Sequence, residues 1–159
     1  LAELHMIIDL LRNDLSKVCE IDSVKVIHPN KLETFANVFH LVGIVEGLLK
    51  KEKSIIDLIT ACFPGGSITG CPKIASMQVI EELETYKRNL YTGSIFLMNN
   101  KFMQSSIVIR TGIVVKDKLF VNSGGAITIE SDPKSEYQEI LHKIRTFLDI
   151  REDNDDLLL

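Results

Sequence analysis

A chain of 159 residues in which 45% are hydrophobic has enough apolar side chain to bury a core, which excludes a disordered segment. Its net charge of -4, from 18 basic and 22 acidic residues spread along the chain, offers no basic footprint for nucleic acid. No apolar run approaches the ~20 residues that span a bilayer, so no membrane segment is expected.

Leu4, Ile7, Ile8, Leu11, Leu15 and Val18 recur at spacings of three and four and predict an amphipathic helix at the start of the chain. Nothing there has the basic start and cleavage site of a signal peptide, and the chain reads as cut from a longer one. Ser23 to Ile27 alternates like a strand that stops at Pro29, and Val38 to Leu49 carries a second strand pattern. Ser54 to Phe63 predicts a short helix. The next stretch, Pro64 to Pro72, is too rich in glycine and proline to be regular and is expected to be a loop. That loop delivers into a helix starting near Pro72, with Ile74, Met77, Ile80 and Leu83 on one stripe. From Gly93 the pattern turns to strands at Ser94 to Met98, Ser105 to Val115 and Leu119 to Asn122, with a turn at Lys116 to Lys118, which reads as a β meander. Asp132 as N-cap and Pro133 at the first helical position start a last helix, with Tyr137, Ile140, Leu141, Ile144, Phe147 and Leu148 on its stripe. Helices and antiparallel strands in blocks indicate the α+β class, with one domain over residues 1–150 and an acidic tail over 151–159. Cys19, Cys62 and Cys71 are odd in number and lack C-x-x-C spacing, which fits a reducing cytoplasm better than a disulfide framework.

Several groups could carry chemistry. Glu136 and Glu139 share a face of the last helix with Lys143 four residues on; such a carboxylate pair can hold a hard cation, with Glu3 as a distant further ligand. The same pattern also describes an ordinary solvated helix face, the commoner case. The Pro64 to Pro72 loop lacks the order of a P-loop, but the hydroxyls of Ser67 and Thr69 and the amides opening the next helix would suit a carboxylate; a plain connection is the alternative. Gly124-Gly125 offers bare amides to an anion, or a tight turn. Arg110, among apolar neighbours, is either on the wet face of a sheet or a cation awaiting an anionic ligand, and His40 alone is more often a satisfied core histidine than a catalyst.

Six ordered blocks give these groups a context: Glu3 to Asp14, His40-Leu41-Val42, Pro64 to Lys73, Tyr91-Thr92-Gly93-Ser94, Ile107-Val108-Ile109-Arg110, and Ser131 to Glu139. Together they resemble the chorismate-utilising enzymes, which include anthranilate synthase large subunits, aminodeoxychorismate synthases, isochorismate synthases and salicylate synthases. The resemblance runs from Glu3 to about Ile150. It implies part of a large α+β sandwich of two sheets with helices outside. It also implies a magnesium (Mg2+) site with Glu3 and Glu139 as ligands and Glu136 holding metal-bound water. Tyr91 and Arg110 are then the pair for the enolpyruvyl carboxylate of chorismate, assisted by amides near Gly124, Gly125 and Ala126. Ser67, Thr69 and Lys143 become further substrate contacts, and His40 the histidine beside the departing hydroxyl. Ala126 stands where the family commonly has a third glycine, and Cys71 where it has alanine.

Within the family, the Pro64-Gly65-Gly66-Ser67-Ile68-Thr69-Gly70 loop is similar to that of aminodeoxychorismate synthases, which use ammonia from a glutamine amidotransferase partner on the route to p-aminobenzoate and folate. Anthranilate synthase, or a non-catalytic chorismate-binding module, is the alternative. The family's upstream Pro-Ile-Lys-Gly-Thr-like segment, with its nucleophilic lysine, and its catalytic glutamate have no counterpart in these 159 residues. The chain is therefore expected to be an incomplete catalyst by itself.

Overall fold

The computed structural model describes residues 2–34 and 39–152, and the chain forms two compact units, Leu1–Thr85 and Tyr86–Leu159. Val38, where the second strand was expected to begin, and most of the acidic tail lie outside the described residues, as does the side chain of Leu148.

In the first unit, α1 (Ala2–Ser16) turns Ile8 into the core together with Val18 and Cys19 just beyond its end. Strand β1 (Lys25–Thr34) pairs antiparallel with β2 (Phe39–Glu46). The strand expected to stop at Pro29 therefore continues past it. The register shifts between His28 and Lys31, and an irregularity of this kind accommodates a proline that has no N–H for the ladder. Gly43 lets β2 lie close on α1, since a Cβ there would stand 2.7 Å from Ile8 Cδ1. Helix α2 (Ile55–Cys62) starts at a capping box: Asp57 N–H donates to Ser54 Oγ at 3.2 Å and Ser54 N–H to Asp57 Oδ2 at 2.8 Å.

The Pro64 to Pro72 segment is not wholly irregular as expected. It contains one helical turn, α3 (Gly66–Thr69), closed by Gly70 N–H on Gly66 O and Thr69 Oγ1 on Gly65 O, both at 3.0 Å. Local propensity is poor here, and packing decides: Gly66 is buried against Leu10, where a Cβ would come within 2.8 Å of Cδ1. Helix α4 (Lys73–Leu83) follows, with Pro72 as its N-cap.

In the second unit, β3 (Ser94–Met98) pairs with β4 (Met103–Ile107), and β5 (Gly112–Val115) with β6 (Lys118–Val121). The single strand expected over Ser105 to Val115 is split, and the meander becomes two separate hairpins among the described residues. The cause lies at Val108, which is buried and bonds Thr92 N–H and Gly93 O; Ile109 N–H then turns back onto Ile107 O, and Arg110 takes φ 50°. A residue in that left-handed region reverses the chain and cannot continue a ladder. Helix α5 (Pro133–Glu152) begins as expected, with Ser135 N–H on Asp132 Oδ2 at 2.8 Å. Mixed helices and antiparallel strands make the chain α+β. Among the described residues no helix is long and apolar enough to cross a membrane.

Candidate functional site

The break between β4 and β5 faces the middle of α5 across a cavity of about 240 Å³ within the second unit, lined by Tyr91, Arg110, Asn122, Ser123, Gly124, Lys143 and the apolar Ile109 and Ile144. A wider hollow of about 480 Å³ shares Arg110 and Lys143 with it and adds Glu139, His142 and Phe147. Both cations reach the cavity for local reasons. Arg110 projects from the left-handed turn that ends the β4 segment, while Lys143 stands on α5 one turn beyond Glu139.

Lys143 Nζ donates to Gly124 O at 3.1 Å and pairs with Glu139 Oε1 at 2.7 Å, so it ties the segment after β6 to the helix. Among the described residues the Arg110 guanidinium has no ion-pair partner, which leaves it available to an anion. The two glycines explain their own presence. A Cβ on Gly124 would stand 2.9 Å from Tyr91 Oη, and one on Gly125 3.2 Å from Glu136 Oε2. Close approach, and not a left-handed turn, is what disfavours a side chain at Gly124, while at Gly125 the end of Glu136 would have to give by a few tenths of an ångström; Gly70 alone among the described glycines takes positive φ. A cavity with an unpaired guanidinium, a lysine, a tyrosine and a bare-glycine backbone suits a small carboxylate.

Glu136 and Glu139 lie on one helical face as the spacing required. Glu136 accepts from Ser131 Oγ at 2.7 Å, and Glu139, its side chain 57% exposed, has one oxygen on Lys143. Ala126 follows the two glycines and is exposed. The remaining expected residues belong to the first unit. Glu3 is exposed in the first turn of α1, His40 is exposed on β2 opposite Glu33, Ser67 is exposed on α3, and the half-buried Thr69 gives its hydroxyl proton to Gly65 O.

The sequence reading passed over Asp14. It is 2% exposed, and its carboxylate takes Lys17 Nζ at 2.8 Å on one oxygen and Lys73 Nζ at 2.6 Å on the other. The signal was present: an acid on the apolar stripe of α1, between Leu11 and Val18, requires a buried partner. Beside it the half-buried Cys62 thiol is pushed up by burial and by the Asp14 charge, which disfavours its thiolate.

Residues 1–149 match the family model of the chorismate binding enzymes. The chain belongs to that family. It is 43% identical over 145 residues to the probable chloroplastic aminodeoxychorismate synthase of Oryza sativa subsp. japonica, a match covering 91% of this chain and 16% of the relative. To anthranilate synthase component 1 of Neisseria gonorrhoeae it is 39% identical over 146 residues, covering 91% of this chain and 30% of the other. The crystal structure of anthranilate synthase component I from Streptococcus pneumoniae superposes with a TM-score of 0.76 at 36% identity, covering 89% of this chain and 33% of that one. The chain thus spans a third or less of the length of these relatives.

Two carboxylates on one face of α5 are donors of the kind that a hard cation such as magnesium takes. Magnesium takes oxygen ligands and commonly only one or two protein carboxylates, the rest being water or substrate. Glu136 and Glu139 offer two carboxylates on one face, each with one oxygen already engaged by a neighbour and the other left over.

Proposed function

We propose that the complete protein is an aminodeoxychorismate synthase, in which ammonia from a glutamine amidotransferase partner takes the place of the C4 hydroxyl of chorismate, and that residues 1–150 supply its substrate clamp. The observation that carries the reading is the cavity in which Arg110, Tyr91, Gly124 and Lys143 converge. Arg110 would hold a chorismate carboxylate by charge-assisted hydrogen bonds, with the Tyr91 hydroxyl as a second donor. Lys143, already fixed by Gly124 and Glu139, would add positive charge without moving. Glu139 and Glu136, with Glu3 as the further family ligand, would hold magnesium, which when bound screens the charge of the ring carboxylate. His40 would serve near the departing hydroxyl, and Ser67 and Thr69 would contact substrate from the glycine-rich segment. The free cysteines Cys19, Cys62 and Cys71 fit a reducing cytoplasm.

Anthranilate synthase is the second reading, favoured by the Neisseria and Streptococcus matches. Identities of 43% and 39% do not separate the two, so the choice rests on the Gly65-Gly66-Ser67-Ile68-Thr69-Gly70 loop. The test is to incubate the complete polypeptide with chorismate, magnesium and ammonia and to identify the product. Aminodeoxychorismate is expected. Anthranilate would establish the second reading, and binding without turnover would reduce the protein to a chorismate-binding module.

A further inference from the structure

We infer that Asp14 and Lys73 form a positioning pair that fixes the Gly66–Pro72 segment on α1 and so sets the reach of Ser67 toward substrate; this deepens the chorismate reading and rests on it. The segment is held on α1 at two points. At its start Gly66 packs against Leu10, too closely for any Cβ. At its end Lys73, the first residue of α4, reaches Asp14 Oδ2 at 2.6 Å. Leu10 and Asp14 are four residues apart, hence on one face of the helix about 6 Å along its axis. Ser67, Ile68, Thr69, Gly70, Cys71 and Pro72 span the gap between these anchors.

An apolar contact would hold the segment down but would let it slide. A buried carboxylate with a lysine on each oxygen fixes direction as well as proximity, and Asp14, at 2% exposed, has no water to substitute for a lost cation. Lys17, whose own side chain is 53% exposed, is a local i,i+3 partner and keeps Asp14 compensated if Lys73 is neutralised. Neutralising Lys73 therefore frees the segment without leaving an orphaned charge.

The experiment compares Lys73→Gln, Lys73→Arg and Gly66→Ala in the complete polypeptide, reading kcat, KM for chorismate, Tm and amide exchange at Gly70, whose N–H bonds Gly66 O. Lys73→Gln is expected to raise KM about tenfold or more with kcat within about threefold, and Lys73→Arg to return KM to within about threefold of the parent, since losing a uniform substrate contact raises KM by such a factor and leaves kcat alone. Exchange at Gly70 should quicken in Lys73→Gln and not in Lys73→Arg. A lowered Tm with unchanged KM and unchanged Gly70 exchange would overturn the inference. Should Lys73→Gln fail to fold, Gly66→Ala lifts the same segment and leaves the ion pair alone; an unchanged KM there overturns the inference equally. If the parent protein does not use chorismate at all, the functional reading falls, whereas Gly70 exchange still decides whether Lys73 orders the segment.

Discussion

In the first unit a carboxylate, Asp14, is 2% exposed and has a lysine on each oxygen; in the second, Glu139 has one lysine and a side chain 57% exposed. Burial makes the first cluster rigid, because Asp14 cannot lose both lysines without standing uncompensated in a low dielectric. Exposure makes the second pair exchangeable, since water replaces a lost partner at little cost. Charge that is fully partnered and dry holds the architecture, whereas charge on the edge of a cavity keeps the freedom to exchange partners. Arg110, unpaired among the described residues, is the extreme of the second kind.

The largest effect should come from breaking the dry cluster. Asp14→Ala leaves Lys73 and Lys17 without their acid and removes the link between α1 and α4, and it is expected to destabilise the complete protein by about 3 kcal/mol or more. Chemical denaturation measures this, and a loss under about 1 kcal/mol would show that water reaches Asp14 and that the contrast is false. Next in size, Arg110→Ala should weaken chorismate binding by roughly 1.5 to 3 kcal/mol, the range for a lost charge-assisted pair, and leave Tm almost unchanged. Calorimetric titration checks it, and an unchanged dissociation constant would remove Arg110 from the site. Smaller again, Glu139→Gln should alter stability by no more than about 0.5 kcal/mol while raising the magnesium concentration for half-maximal activity about tenfold. Equal magnesium curves for the two proteins would take Glu139 out of the metal site.

The periodicity of α1 and α5, the Asp132 cap and strand β3 were legible in the sequence because each depends on residues a few positions apart. What was not legible depends on partners distant in the chain. The Ser105 to Val115 stretch reads as one strand across Arg110-Thr111-Gly112, yet Val108 stays paired with Thr92 and Gly93 while Ile109 turns back onto Ile107 and Arg110 takes φ 50°, which ends the strand there. Likewise α3 forms from poor helix formers because Leu10 packs on Gly66. The meeting of Tyr91, Arg110, Gly124 and Lys143 at one cavity was implied only by family resemblance, since no spacing relates a left-handed turn to a helix 33 residues later. Asp14 and Lys73, 59 residues apart, could have been suspected singly but not paired.

The smallest effect concerns charge that is exposed and yet hydrogen-bonded, a case between the two extremes. Asp132 caps α5, and the backbone N–H of Ser135, followed by its hydroxyl, holds the Asp132 carboxyl below its ordinary range. A depressed folded pKa means that the ionised form is favoured by folding. Its contribution is therefore complete above the unfolded value of about 3.9 and is lost as pH falls through the lower folded value. Asp132→Ala should lower Tm modestly near neutral pH, and its gap from the parent should close as the pH is taken from about 5 to about 2. Asp57 caps α2 with the same direction of shift, but it is present in both proteins and cancels in the difference. Asp132→Asn keeps an acceptor oxygen for the Ser135 N–H without a titrating charge, so its Tm should lie near the parent's and the difference should vary with pH by the charge contribution alone. A parent-to-Asn difference that stayed flat across that range would mean that the cap acts as a neutral hydrogen-bond acceptor, and that ionisation of Asp132 contributes nothing to holding the start of α5.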